Sequence, residues 1–208
     1  MNDTATASRA LTAETASEYD FIVCLDASGS MNSPSTRFSG KTRWQEAQET
    51  IYGMSVALDQ FDADGIDVCV FGGGVDWHEG VTAEKVSGLF ASRGPRGSTP
   101  LAEALEKVVA KQKATGKNTV AIVFTDGEPD DRPRTEQVIV DASNGLDKDE
   151  ALTFLFVQIG NDAAAARFLE HLDDGLAGKA KFDIVDTIPA AQADTMEPID
   201  LINKAISD

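Results

Sequence analysis

The sequence is short of everything that builds a soft-metal or thiolate site. It holds two cysteines, Cys24 and Cys69, and two histidines, His78 and His171, in 208 residues. Two thiols cannot make a four-thiolate zinc site, and the histidines lie far apart with no metal-ligand spacing. Both cysteines sit inside apolar runs, which predicts buried thiols in place of a disulfide. Positive charge is scarce: Lys plus Arg number 18 against 35 for Asp plus Glu, a net charge of −17 at pH 7. Such a surface repels phosphate backbones and anionic lipid, so nucleic acid is not the expected partner. Divalent cations and basic protein patches are better matched. No apolar run approaches the roughly 20 residues of a membrane span. Met1 to Tyr19 carries no apolar leader segment, which gives the expectation of a cytoplasmic protein with a disordered polar lead-in over residues 1–18 and one domain over 19–208.

The usual catalytic signatures are also missing. Gly72-Gly73-Gly74 is not followed by Gly-Lys-Ser/Thr, and no G-x-G-x-x-G follows the first apolar run, so these glycines read as a tight turn and not a phosphate cradle. No G-x-S-x-G elbow is present to activate a serine. An aspartyl phosphatase would need a second carboxylate two residues after Asp26, where Ser28 stands. The expectation is a protein that is not an enzyme.

What is present is alternation. Apolar runs predict strands at Phe21–Leu25, Ile66–Phe71, Thr119–Thr125, Leu152–Ile159 and Phe182–Val185, with a short edge strand at Val75–His78. Helical periodicity predicts helices over Thr42–Gln60, Ala83–Phe90, Pro100 to about Lys113, Arg134 to about Leu146, Asp162 to about Leu172, and Pro198–Ile206. The plan is a doubly wound α/β fold: a mostly parallel six-stranded sheet flanked by helices on both faces.

Two predicted strands run straight into a carboxylate, at Asp26 and Asp126. In an open α/β sheet, ligands bind outside the carboxyl ends of the strands. With strand order 3-2-1-4-5-6, the two aspartates face one crevice. After Asp26 the residues Ser28 and Ser30 alternate with Ala27 and Gly29, and in extended chain that spacing puts three oxygen side chains on one side. A carboxylate and two hydroxyls are hard oxygen ligands, suited to Mg²⁺ or Ca²⁺. A further hydroxyl comes from Gly97-Ser98-Thr99-Pro100, where Pro100 suits the first helical position and Thr99 the N-cap.

Asp26-Ala27-Ser28-Gly29-Ser30, Gly97-Ser98-Thr99 and Thr125-Asp126-Gly127, in this order and at strand ends, resemble the three loops of a von Willebrand factor A domain with its metal-ion-dependent adhesion site. The resemblance covers about Tyr19 to the C-terminus. It implies that Ser28, Ser30 and Thr99 ligate a divalent cation directly, with Asp26 and Asp126 acting largely through water. The ion it implies is Mg²⁺ or Mn²⁺, with Ca²⁺ a poorer fit. It further implies that a protein partner's Asp or Glu completes the coordination, so the chemistry is binding. Intracellular members of the family resemble subunits or adaptors of larger assemblies, often beside ATPases, and that mainly structural role is the alternative reading. Around the motifs, the polar Ser33–Lys41 loop is placed to shape access, and Glu128, Asp130 and Asp131 add charge to the third loop. Arg93, Arg96, Arg132 and Arg134 form either a basic rim or local ion pairs. Trp44, Trp77 and Phe38 read as packing residues near the same face.

Overall fold

Strands that are apolar on both faces need cover on both faces. The computed structural model, which describes residues 16–59, 65–193 and 195–207, supplies it. The strands are β1 (Tyr19–Asp26), β2 (Ile66–Phe71), β3 (Val75–Val81), β4 (Asn118–Thr125), β5 (Leu152–Gln158) and β6 (Val185–Ile188). They form one six-stranded sheet in the order β3-β2-β1-β4-β5-β6. All pairings are parallel except the β2–β3 hairpin. The helices are α1 (Arg43–Asp59), α2 (Ala83–Ser92), α3 (Leu101–Thr115), α4 (Arg132–Gly145), α5 (Ala163–Asp174), the short α6 (Ala190–Ala193) and α7 (Pro198–Ser207).

The period-2 alternation of the strands divides the core in two. Val23, Leu25, Ile122, Phe124, Leu155 and Val157 face one side. There they meet Ile51 and Met54 of α1, Val86 and Phe90 of α2, and Leu201 and Ile202 of α7. Ile22, Cys24, Ala121, Val123, Phe154 and Phe156 face the other side, against Leu105 and Val108 of α3, Ile139 of α4 and Phe168 of α5. This two-sided burial explains why the central strands carry no polar alternation. Cys24 and Cys69 are free, fully buried and directly opposite each other in the β1–β2 register. The hydrogen bond with Cys69 and the burial together push the Cys24 thiol well above its ordinary range.

Several sequence expectations shift. The last strand is Val185–Ile188, not Phe182–Val185. The Ser143 hydroxyl both donates to the Phe182 carbonyl and accepts from the Phe182 amide, each at 2.8 Å, which fixes Phe182 in a turn ahead of the strand. The edge strand is longer than Val75–His78 and continues to Val81 beside Ile66. The expected end of the first helix, Gln60, lies outside the described residues, as do residues 1–15 of the expected lead-in. Ala16 is buried in the core, and the Glu18 carbonyl accepts from the Asn118 amide at 3.2 Å. Trp44 is buried and packs on Phe90 with ring centroids 4.6 Å apart. Among the described residues, no helix is long and apolar enough to cross a membrane.

Candidate metal centre

Because β1 and β4 are neighbours, Asp26 and Asp126 emerge side by side at the carboxyl end of the sheet. Both are buried. Asp26 accepts from the Ser28 amide on Oδ1 and from the Thr125 hydroxyl on Oδ2, each at 2.7 Å. Burial is the main cause that pushes its carboxyl up to about 6, against the opposing pull of the Thr125 and Ser28 donors. Asp126 accepts from the Ser30 hydroxyl at 2.7 Å on Oδ1 and from Arg43 Nη1 at 2.6 Å on Oδ2.

The route by which Ser28 and Ser30 meet differs from the expected extended chain. Ser28 is extended, but Gly29–Asn32 is a 3-10 turn closed by the Met31 amide on the Ser28 carbonyl at 3.1 Å. The fully buried Met31 anchors that turn in the core. The turn brings the Ser28 and Ser30 hydroxyl oxygens to 2.9 Å from one another. That separation is a hydroxyl–hydroxyl hydrogen bond, and since the Ser30 hydroxyl donates to Asp126, Ser28 donates to Ser30. Hydroxyl and carboxylate oxygens are hard donors of the type that Mg²⁺, Mn²⁺ and Ca²⁺ accept. Among the described residues, no group of three or more His, Cys, Asp or Glu gathers as a metal cluster. A site here depends on hydroxyls.

The second loop is held by backbone. Gly29 donates to Gly97 O at 3.1 Å, Gly73 to Ser98 O at 3.1 Å, and Arg96 to Ala27 O at 2.7 Å. These contacts need glycine: a Cβ on Gly72 would stand 2.2 Å from the Ala27 carbonyl oxygen, and one on Gly97 (φ +73°) 2.6 Å from the Gly73 Cα. Thr99 is not the N-cap of α3, and Pro100 is not its first residue. The helix starts at Leu101, and Pro100 (φ −77°, ψ 58°) forms an inverse γ-turn with the Leu101 amide 2.8 Å from the Thr99 carbonyl. The Thr99 side chain is therefore not committed to the helix end. Its backbone is clasped to the third loop: its amide donates to Asp130 Oδ1 at 2.9 Å, and its carbonyl accepts from the Asp130 amide at 3.0 Å. All three loops are thus tied pairwise.

The charges around the motifs have local duties. Glu128 pairs with Arg132, Asp130 clasps Thr99, and Asp131 caps α4 by accepting from the Arg134 amide. Arg93 pairs with Asp76 and donates to Gly72 O and Gly74 O, which pins the glycine turn. Arg134 forks onto Glu106 at 2.9 and 3.0 Å. Of the four arginines considered for a basic rim, Arg96 is the exposed one without such a duty among the described residues. The Ser33–Lys41 loop is closed by a Pro34–Thr42 bridge, and Arg37 and Lys41 each stand 4.8 Å from the centroid of its Phe38 ring. Sequence reasoning missed Arg43, and it read Asp130 only as loop charge and gave Thr125 no role of its own. Thr125 stood within a quoted motif. Arg43 had no signal at all, since it meets Asp126 from 83 residues away.

The family model described as "vWA-TerF-like: vWA found in TerF C terminus" matches residues 19–208. No curated protein sequence matches the chain. Among solved structures, the chain is similar to manganese-loaded TRAP protein of Plasmodium vivax. That match has 17% identity and a TM-score of 0.63, covering 91% of this chain and 74% of that one. It is similar to the PilB minor pilin of Streptococcus sanguinis, with 11% identity, a TM-score of 0.62, and 90% and 61% covered. A von Willebrand factor type A protein from Catenulispora acidiphila gives 17% identity, a TM-score of 0.62, and 90% and 42% covered. The chain spans less than two thirds of the latter two, and at these identities the likeness is one of fold.

Proposed function

Since the chain belongs to the family of von Willebrand A domains found at the TerF C terminus, we propose that it is a metal-dependent protein-binding module. A divalent cation, when bound, supplies a Lewis-acidic point that a partner's Asp or Glu carboxylate can complete. Ser28, Ser30 and Thr99 offer neutral hydroxyl ligands. Asp26 and Asp126 have all four of their carboxylate oxygens engaged by the chain itself, which supports their acting from behind the hydroxyls. Neutral direct ligands leave the ion's charge largely uncancelled and favour capture of an external anion. The observation that carries this reading is the convergence of two serine hydroxyls, hydrogen-bonded to each other, with two buried carboxylates at the ends of adjacent strands. Mg²⁺ is the proposed ion, with Mn²⁺ as the laboratory probe, in line with the manganese named for the Plasmodium neighbour. A cytoplasmic location is proposed with it, in keeping with two free thiols that face each other in the core.

The test is binding of a short acidic peptide. The expected result is capture with Mg²⁺ or Mn²⁺ that is lost in EDTA and lost again in Asp26→Ala and Asp126→Ala. Capture that persists in EDTA and in both variants contradicts the reading. A second reading, a structural subunit that uses no ion, draws on Arg43, whose guanidinium already satisfies one oxygen of Asp126. It predicts no metal response in the same experiment.

A further inference from the structure

Arg43 is held in an unusual way for an arginine that merely pairs on a surface. It is the first residue of α1, so its charge stands at the positive end of a helix, where a cation is disfavoured. Its side chain is 15% exposed and its partner Asp126 is fully buried. Its Nε is buried and, among the described residues, has no hydrogen-bond partner. Gly160, at φ +77°, makes room for it: a Cβ there would stand 2.9 Å from Cζ, Nε and Nη2 of the guanidinium. Asp162, the N-cap of α5, lies near enough to feel the charge, though the Ala165 and Ala164 amides are the larger causes that lower its carboxyl. Three elements thus converge on one cation. A helix end that opposes charge and a donor left unsatisfied both cost stability. In a chain with 35 acidic residues and 18 basic ones, a cation is buried against the carboxylate at the centre of the three loops.

We propose that Arg43 is the resident counter-cation of the loop cluster: it neutralises Asp126 while no divalent ion is bound, and it sets the affinity for that ion by opposing it. The inference rests on the metal-binding reading above. Arg43 occupies Oδ2 of Asp126 and leaves Oδ1 turned to Ser30, so the carboxylate is oriented and its charge already has a partner. A divalent ion held by Ser28 and Ser30 then binds against a fixed positive charge. The module consequently has a modest ion affinity, and a partner's carboxylate is called on to complete it.

The test is calorimetric titration of Mn²⁺ into metal-stripped full-length protein, with thermal unfolding with and without Mn²⁺, for wild type, Arg43→Gln and Arg43→Lys. Glutamine keeps a donor toward Asp126 and loses the charge; lysine keeps the charge. The expected result is that Arg43→Gln melts lower without metal and binds Mn²⁺ about tenfold tighter. Its melting temperature also rises more on saturation than that of wild type, while Arg43→Lys follows wild type. Binding by Arg43→Gln alone, or folding of Arg43→Gln only when Mn²⁺ is present, would support the proposal equally. Wild-type and Arg43→Gln affinities that agree, weaker binding by Arg43→Gln, or its failure to fold in either condition would overturn it and leave Arg43 as scaffold. Absence of Mn²⁺ binding in every protein, all folded, would overturn the metal-binding reading itself.

Discussion

Asp26 and Asp126 end adjacent strands of the same sheet and are both buried, yet their surroundings are opposite. Among the described residues Asp26 is met by neutral donors, the Ser28 amide and the Thr125 hydroxyl, and burial raises its carboxyl to about 6. Asp126 is met by a hydroxyl and by the Arg43 guanidinium. One carboxylate is solvated by dipoles, the other by a charge. Burial alone therefore does not fix what a carboxylate in this crevice will do. The first is a proton-sensitive group; the second is half of an ion pair, and removing either half leaves the other stranded.

The widest separation between them is expected in stability. Asp126→Ala strands a buried guanidinium and should lose on the order of 3–5 kcal/mol in denaturant unfolding. Adding Arg43→Met to that variant should recover part of the loss. Asp26→Asn should do the reverse. The unfolded chain ionises this group near 3.8 and the folded chain near 6, so between those values the folded state holds a proton that the unfolded state has released. Unfolding free energy contributed by Asp26 is full below pH 4 and falls as pH rises through 6, by about 3 kcal/mol in total. Asparagine removes that loss. Asp26→Asn should therefore be more stable than wild type at pH 7.5 by about 1–3 kcal/mol, with the difference disappearing toward pH 4. Equal stability of the two proteins across that pH range would show that the carboxyl is not raised. The proposed metal binding, in which Asp26 acts as a carboxylate, should weaken in wild type as pH falls below about 6.

Smaller effects sharpen the contrast between side chains that form the centre and backbone that frames it. Gly72→Ala places a Cβ against the Ala27 carbonyl and should cost about 2 kcal/mol while weakening Mn²⁺ binding, though Gly72 offers no ligand. Thr99→Ala should change stability by less than about 0.5 kcal/mol, because Thr99 caps no helix; a true N-cap would cost about 1 kcal/mol. Its Mn²⁺ affinity should nonetheless fall. A stability loss of the N-cap size would restore Thr99 to the helix end.

The layered sheet was legible because burial on both faces leaves an unbroken apolar run, as in Val120 to Phe124, and because helix periods separate the runs. Cys24 and Cys69 were legible as core thiols for the same reason. The motif oxygens were legible as types and in order, although the means that joins Ser28 to Ser30 is a 3-10 turn and not extended chain. Features set by distant contacts were not legible. Phe182 looks like strand until Ser143 claims both of its backbone groups. Pro100 suits a first helical position until the inverse γ-turn moves the start to Leu101. Arg43 looks like an ordinary charged residue opening a helix, and only the meeting of α1, the β4 end and Gly160 makes it part of the centre.

The most direct test of the central claim is a calorimetric titration of Mn²⁺ into metal-stripped wild type and Asp26→Asn at pH 7.5. The account predicts one site in wild type and none in Asp26→Asn, even though the variant is the more stable protein. Equal binding by both would contradict it and remove Asp26 from any role in holding a cation.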